Sequence, residues 1–362
     1  KSGCGTMVTM KDIAQIVGVS ESTVSRVMSK PPDECPVSKK LQEKIRQVAE
    51  KLEYQPNLMA RGLATRKSGN IGLVIYRYEH LTHPVMTQVL SGVASSISHS
   101  RYSLLIEAIY QPGKEDESKQ RLSGLFARRQ VDGLIIVAHE TEPVEILELM
   151  KEEYPFVLAN FYVPGLNADS VRINFKKVGQ AVIRYFAQLG HKEIAVLPGP
   201  KTYGNIKNHD TEDIVSGIQA AATDLGVQIP SERIIFTDYN EQEAYNATVK
   251  MLEGEIRPTA IYAVDDAIAM GILKAAQDHG LQVPADLSIL CGADTQTARF
   301  APVPLSAIQI PYTDIGLKAA EILLTKLEQA PIENQQVFLP FEVIGRQSCA
   351  PCGEEIMRQR LA

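Results

Sequence analysis

The run Ser20-Glu21-Ser22-Thr23-Val24-Ser25-Arg26 gathers four hydroxyls, a carboxylate and a guanidinium around one apolar residue. On a helix, such groups can reach DNA from the major groove: arginine forks onto guanine, and hydroxyls take phosphates or base edges. A plain solvated helix face has the same composition, so the reading depends on what holds the run. Catalytic patterns are absent. Seven histidines show no HExxH spacing, and no GxSxG or GxxxxGK[ST] occurs. Cys349-Ala-Pro-Cys352 is a lone CxxC where a structural zinc site needs four ligands, so it reads as tail decoration. No enzyme, cofactor or metal site is expected.

The elements that position the polar run read as a three-helix headpiece. Thr9 is a candidate N-cap, with Asp12 three residues on and Ile13, Ile16 and Val17 on one face. Gly18 stops that helix and Ser20 caps the next, whose apolar stripe is Val24, Val27 and Met28. Two short helices joined by so tight a turn form a helix-turn-helix unit. Three prolines make residues 30–36 a loop. Ser38 then caps a long helix with Leu41, Ile45, Val48, Ala49 and Leu52 at helical spacing, ended by Pro56. Asn57 opens a further short helix through Leu63.

Charge separates this head from the rest. Residues 1–70 carry twelve Lys/Arg against seven Asp/Glu, whereas the remainder has 25 against 36, so the head alone suits an anionic partner. No apolar run approaches a bilayer span and no signal-peptide core opens the chain, which points to the cytoplasm. Five irregularly spaced cysteines argue for reduced thiols. From Ile71 onward, β-branched runs such as Ile71-Tyr76, Gly133-Val137, Glu193-Leu197, Ile234-Thr237 and Ala260-Val264 alternate with helix-length segments. That alternation predicts parallel sheets with right-handed crossovers, enough for two α/β lobes and a cleft.

The order and spacing of Thr9-Met10-Lys11-Asp12-Ile13-Ala14, Gly18-Val19-Ser20, Thr23-Val24-Ser25-Arg26-Val27, Tyr54-Gln55-Pro56-Asn57 and Ala60-Arg61-Gly62-Leu63-Ala64 resemble the lac repressor/galactose repressor family. Leu189-Gly190-His191-Lys192, Asp265-Asp266 and Pro304-Leu305-Ser306 extend the resemblance to about residue 345. It implies an all-α helix-turn-helix headpiece (8–56), a hinge helix and linker (57–70), a periplasmic-binding-protein-like α/β sensor of two parallel-sheet lobes (71–345), and a tail (346–362). It also implies a transcriptional regulator, a repressor, that binds a pseudo-palindromic operator as a homodimer under effector control. DNA contacts are then expected from Thr9, Met10, Ser20, Glu21, Ser22, Thr23, Ser25, Arg26, Asn57, Ala60 and Leu63. Leu63 is the minor-groove wedge that exchanges unstacking energy for a bent operator. A solute-binding protein, the reading from another class, would have a signal peptide and no basic head.

Two departures bear on this reading. The loop 29–37 is longer than usual in the family and either shifts the third helix or bulges outward. In the effector cleft, Ile214 replaces a customary arginine, and Cys291-Gly292-Ala293-Asp294 lacks an aspartate of the family's acidic pair. The effector residues expected from the resemblance are Asn160, Tyr239, Asp265 and Asp294, with Lys207 and His209 as stand-ins for the arginine. Planar polar groups beside an aromatic suit a sugar or sugar derivative, and strand-end Asn and Asp also cap helices. A purine- or nucleotide-responsive regulator is the alternative.

Overall fold

The computed structural model describes residues 8–29, 32–54, 67–109, 122–254, 257–328 and 333–353. Asn57, Ala60, Leu63 and the expected hinge helix lie outside the described residues. The chain divides into two compact units, residues 1–68 and 69–362.

The first unit contains α1 (Met10–Val17), α2 (Glu21–Ser29) and α3 (Lys39–Lys51). Thr9 and Asp12 form a capping box: the Thr9 amide donates to the Asp12 carboxylate at 2.8 Å, and the Asp12 amide donates to Thr9 Oγ1 at 3.3 Å. These bonds hold the Asp12 carboxyl below its ordinary pKa. Gly18 ends α1 at φ 82°, a left-handed conformation that a side chain resists. Ile13, Val24, Val27 and Ile45 interlock as the buried centre. Ala14 of α1 is buried in the same cluster.

The long loop does more than bulge. Cys35 packs into the headpiece core, and the buried Gln42 side chain donates to the carbonyls of Val37 at 2.7 Å and Pro32 at 3.1 Å. The loop is thereby tied to α3. Lys44 and Arg46 of α3 donate to the carbonyls of Val17 and Val27, one at each helix end, where cations complement the exposed carbonyl dipole.

Among the described residues, the strands of the second unit form two larger sheets and one two-stranded hairpin. In the first lobe they are β1 (Asn70–Ile75), β2 (Ser103–Ala108), β3 (Gly133–Ile136), β4 (Phe156–Ala159), β5 (Ser170–Arg172) and β12 (Gln336–Phe338), ordered β12-β5-β4-β3-β1-β2 and parallel throughout. Helices α4 (Pro84–Ser98), α5 (Leu122–Ala127), α6 (Pro143–Lys151) and α12 (Tyr312–Glu328) belong with this sheet. In the second lobe β6 (Ile194–Leu197), β9 (Ala260–Ala263), β10 (Ser288–Cys291) and β11 (Ser306–Gln309) run parallel, and β13 (Glu342–Ile344) closes the edge antiparallel to β11. Helices α7 (Phe175–Gln188), α8 (His209–Leu225), α9 (Glu241–Leu252), α10 (Asp266–Asp278) and the short α11 (Gln296–Phe300) accompany it. A small hairpin, β7 (Thr202–Tyr203) with β8 (Ile206–Lys207), precedes α8. The main chain passes between the lobes three times: before α7, before α12 and between β12 and β13.

Two expectations need correction. The strand expected at Ile234–Thr237 is only an isolated bridge from Ile234 to Val196. After the Ile235 amide donates to the Val196 carbonyl, the chain turns off to Asn240, whose side chain caps α9. Residues 346–353 are not a loose tail. Ser348 is fully buried, donates to the Ile289 carbonyl at 2.6 Å and accepts from the Ser306 amide at 2.7 Å. His191 reaches Thr259 Oγ1 and Ser288 Oγ at 3.0 Å each, and its Nε2 lies 3.1 Å from the Ala350 carbonyl oxygen. The Cys352 amide donates to the Leu189 carbonyl, and the Cys349 thiol to that of Ile289. Burial pushes the Cys349 thiol pKa up to about 11, so this half of the CxxC pair is a packed thiol.

Candidate functional site

The recognition surface follows from how α2 is seated. Val24 and Val27 are buried, which turns Glu21, Ser22 and Arg26 outward and leaves Thr23 and Ser25 partly covered. Ser20 Oγ accepts the Thr23 amide at 3.2 Å and lies 2.8 Å from both Ser22 Oγ and Thr23 Oγ1. Ser20 and Thr23 therefore organise the helix start, while Glu21, Ser22 and Arg26 are the groups presented to solvent. Thr9 is exposed and its hydroxyl is engaged by Asp12 at 2.7 Å; Met10 is partly covered against the core.

In the second unit the cavity between the lobes is lined by His139, Phe161 and Tyr162 from one side and Tyr203, Asn208 and Asp210 from the other, among others. It lies beside the expected residues. Phe161 follows Asn160, and the Tyr203 hydroxyl is 3.2 Å from that of Tyr239. Asn160 follows β4 with φ 66°, a backbone that asparagine tolerates better than most side chains. Its buried Oδ1 accepts no hydrogen bond. Asp265 caps α10, its Oδ1 accepting the Ile268 amide at 2.9 Å, while the buried Oδ2 accepts none. Tyr239 is 42% exposed. Its hydroxyl lies 3.2 Å from that of Tyr203, and enclosure of this phenol end, with the carboxylate charges of Asp265 and Asp210, pushes its pKa up. Asn160, Tyr239 and Asp265 thus stay candidates.

Asp294 stands apart. Arg299 grips it with two nitrogens at 2.9 and 3.1 Å, and Arg346 adds a third at 2.7 Å. Both carboxylate oxygens are engaged, so its place is in anchoring residue 346. Lys207 and His209 both face Glu212, Lys207 at 2.6 Å and His209 at 3.4 Å, and do not stand free as replacements for an arginine. Ile214 is buried within α8, where its carbonyl meets the glycine of a neighbouring helix.

The residues missed from sequence are those joining the lobes. His139 Nδ1 lies 3.2 Å from Asp210 Oδ2, and Tyr162 donates to Asp213 Oδ2 at 3.1 Å. Their partners are far off in the chain, and no local pattern marks them. The Arg172 guanidinium lies 3.6 Å from the Tyr162 ring centroid, with Phe338 at 4.5 Å. Burial pushes the Tyr162 phenol up to about 12, helped by the charge of Asp213. Burial opposes a charge on His139, but the Asp210 carboxylate 3.2 Å away, with the charge of Glu140, outweighs it and raises its pKa. A raised histidine pKa means that the His139–Asp210 bridge is fully present at low pH and fades as pH rises through the raised value. Asp210→Asn is expected to lower that pKa, read directly from the imidazole proton shifts by NMR. An unchanged titration would show that the bridge does not form in solution.

The comparisons with known proteins fall on these two regions. A family model described as bacterial regulatory proteins, lacI family, matches residues 9–57, and a periplasmic binding protein-like domain model matches residues 183–349. Catabolite control protein A of Priestia megaterium is 29% identical over 341 residues, covering 94% of this chain and 99% of that protein. The ribose operon repressor of Escherichia coli K12 is 29% identical over 336 residues, covering 92% and 97%. Among solved structures, the lac repressor dimer bound to operator and the anti-inducer ONPF aligns with TM-score 0.78 at 24% identity, over 95% of this chain and all of that one, a likeness of fold. Among the described residues no helix is long and apolar enough to cross a membrane. With the helix-turn-helix domain matching one model and residues 183–349 of the two-lobed α/β domain matching the other, the chain belongs to the lac repressor/galactose repressor family of DNA-binding transcriptional regulators.

Proposed function

We propose that this chain is a repressor acting in the cytoplasm as a homodimer on a pseudo-palindromic operator, released or recruited by a sugar or sugar derivative bound between the lobes. It catalyses no reaction in this reading. The observation that carries the DNA role is the outward polar face of α2, seated by Val24 and Val27. A two-fold dimer presents two such helices to two half-sites in phase. Ser22, Arg26 and Glu21 read bases, Thr9, Met10, Ser20, Thr23 and Ser25 order the helix starts and touch the backbone, and Asn57, Ala60 and Leu63 enter the minor groove. The headpiece takes 8–56, the hinge 57–70 and the sensor the lobes that follow. Operator selection from random DNA tests this reading: a palindromic consensus is expected, and recovery of unrelated sequences with a flat affinity overturns it.

The effector reading rests on acceptors. Buried polar atoms without partners are costly, and Asn160 Oδ1 and Asp265 Oδ2 both point to a ligand that donates hydrogen bonds. Hydroxyls do so, with Tyr239 as an apolar wall. A thermal-shift screen of sugars against purines is expected to yield a sugar. For the sugar found, Tyr239→Ala should weaken binding severalfold, and Asp265→Asn by about tenfold, the scale of one buried hydrogen bond. Calorimetry checks both. If the screen yields purines alone, the carbohydrate class falls; if both variants bind as the parent does, the site lies elsewhere.

A further inference from the structure

The N-terminal ends of two helices, one from each lobe, meet across the cleft. Pro84 opens α4 behind the capping residue His83, and α10 begins at Asp266 behind its cap Asp265. The ligand atoms of His83, Asp265 and Asp266 lie within 4.8 Å of one another. Asp265 and Asp266 are 4% and 5% exposed. One oxygen of each carboxylate has protein work: Asp265 Oδ1 caps α10, and Asp266 Oδ2 accepts Thr295 Oγ1 at 2.6 Å. Asp265 Oδ2 accepts no hydrogen bond, and its neighbour across the cleft is His83 Nε2 at 3.9 Å. That distance is too long for a hydrogen bond. It is within the roughly 4.4 Å that two ligands can span on one ion at about 2.2 Å each, and the set as a whole, spread over up to 4.8 Å, has about half an ångström to close on binding.

We propose that His83, Asp265 and Asp266 form a three-ligand site for a first-row divalent transition metal that bridges the two lobes. The donor set decides the class: one imidazole and two carboxylates suit manganese, iron(II), cobalt or zinc, whereas magnesium and calcium prefer oxygen alone. Two buried carboxylates side by side repel unless a cation or a proton separates them. The positive ends of α4 and α10 relieve part of that repulsion and oppose an added cation, but their two half charges, about one together, are smaller than the two full carboxylate charges. Ligation through Nε2 moves the imidazole proton to Nδ1, which then gives up the Val85 amide; at 3.4 Å that contact is long and its loss is small. The ion's remaining positions are left to water or to hydroxyls of a molecule in the cleft. By binding ligands from both lobes, the metal favours the lobe arrangement in which they converge.

The assignment does not depend on the effector being a carbohydrate, because metal binding is read without any effector. Cobalt(II) titrated alone into the full chain, with the metal followed by its visible spectrum and by calorimetry, is expected to bind one ion per chain with a nitrogen and oxygen signature. His83→Asn and Asp265→Asn each keep a capping oxygen for their helix, so both variants fold. Each should weaken cobalt binding at least tenfold. A thiolate charge-transfer band would place the ion on Cys349 or Cys352, and cobalt held at His139 or His209 would leave both variants unaffected. Either result, or no binding at all, overturns the site.

Discussion

Arg26→Ala is expected to lose about 1 to 3 kcal/mol on the selected operator and little on random DNA, the range of one good bidentate base contact. The reasoning starts at the core. Val24 and Val27 are buried, and Arg26 between them is carried to the exposed side of α2, less than two turns from the Ser20 cap. The Cys35 thiol lies 3.7 Å from the Arg26 carbonyl oxygen, so the loop touches the helix backbone at this residue and leaves its side chain outward. A guanidinium there can fork onto the O6 and N7 of guanine, a geometry that alanine cannot replace. Anisotropy titrations at fixed salt, on operator and on scrambled duplex, separate the two roles. Equal losses on both, with a salt slope reduced by about one, would make Arg26 a phosphate contact.

Gly179→Ala is expected to destabilise the second unit by about 3 kcal/mol or more, against a helix-propensity gain of about 1 kcal/mol in the other direction. A Cβ on Gly179 of α7 would lie well inside contact distance of the Ile214 carbonyl oxygen of α8. On the facing side, a Cβ on Gly217 would strike the Lys176 carbonyl in the same way. The two helices cross backbone to backbone, and neither can move without leaving the sheet it covers. The first lobe repeats the device: Gly92 of α4 faces the Thr313 carbonyl and Gly316 of α12 faces that of Val89. Gly92→Ala should therefore cost a similar amount. Denaturant unfolding measures both; a midpoint equal to or above the parent's would mean that the helices can separate cheaply.

Local periodicity carried much of this architecture. The spacing of Leu41, Ile45, Val48, Ala49 and Leu52 announces α3, and β-branched runs between helix-length segments announce the parallel sheets, because each pattern reflects which side meets a core. Contacts between distant segments were not legible. His139 and Asp210 lie in different lobes, as do His83 and Asp265, and only the closing of the cleft brings them together. Asp294 read as a ligand group because its strand-end position matches one, yet Arg299 and Arg346 already surround it. Cys35 sits in a stretch that composition marks as loop, and its burial depends on Gln42 from a later helix. The CxxC read as decoration because no local pattern shows that Ser348 fills a buried place beside Ile289 and Ser306.

The three chain crossings between the lobes also set a thermodynamic condition on switching. Lobes on a single tether would sample many orientations, and a ligand that closed them would have to overcome that entropy. Three covalent tethers, before α7, before α12 and between β12 and β13, remove most of those orientations in advance. Closure then resembles the swing of a door on several pins, a narrow path between few states. A small molecule contributing only a few hydrogen bonds can shift such an equilibrium, because little of its binding free energy is consumed in ordering the protein around it.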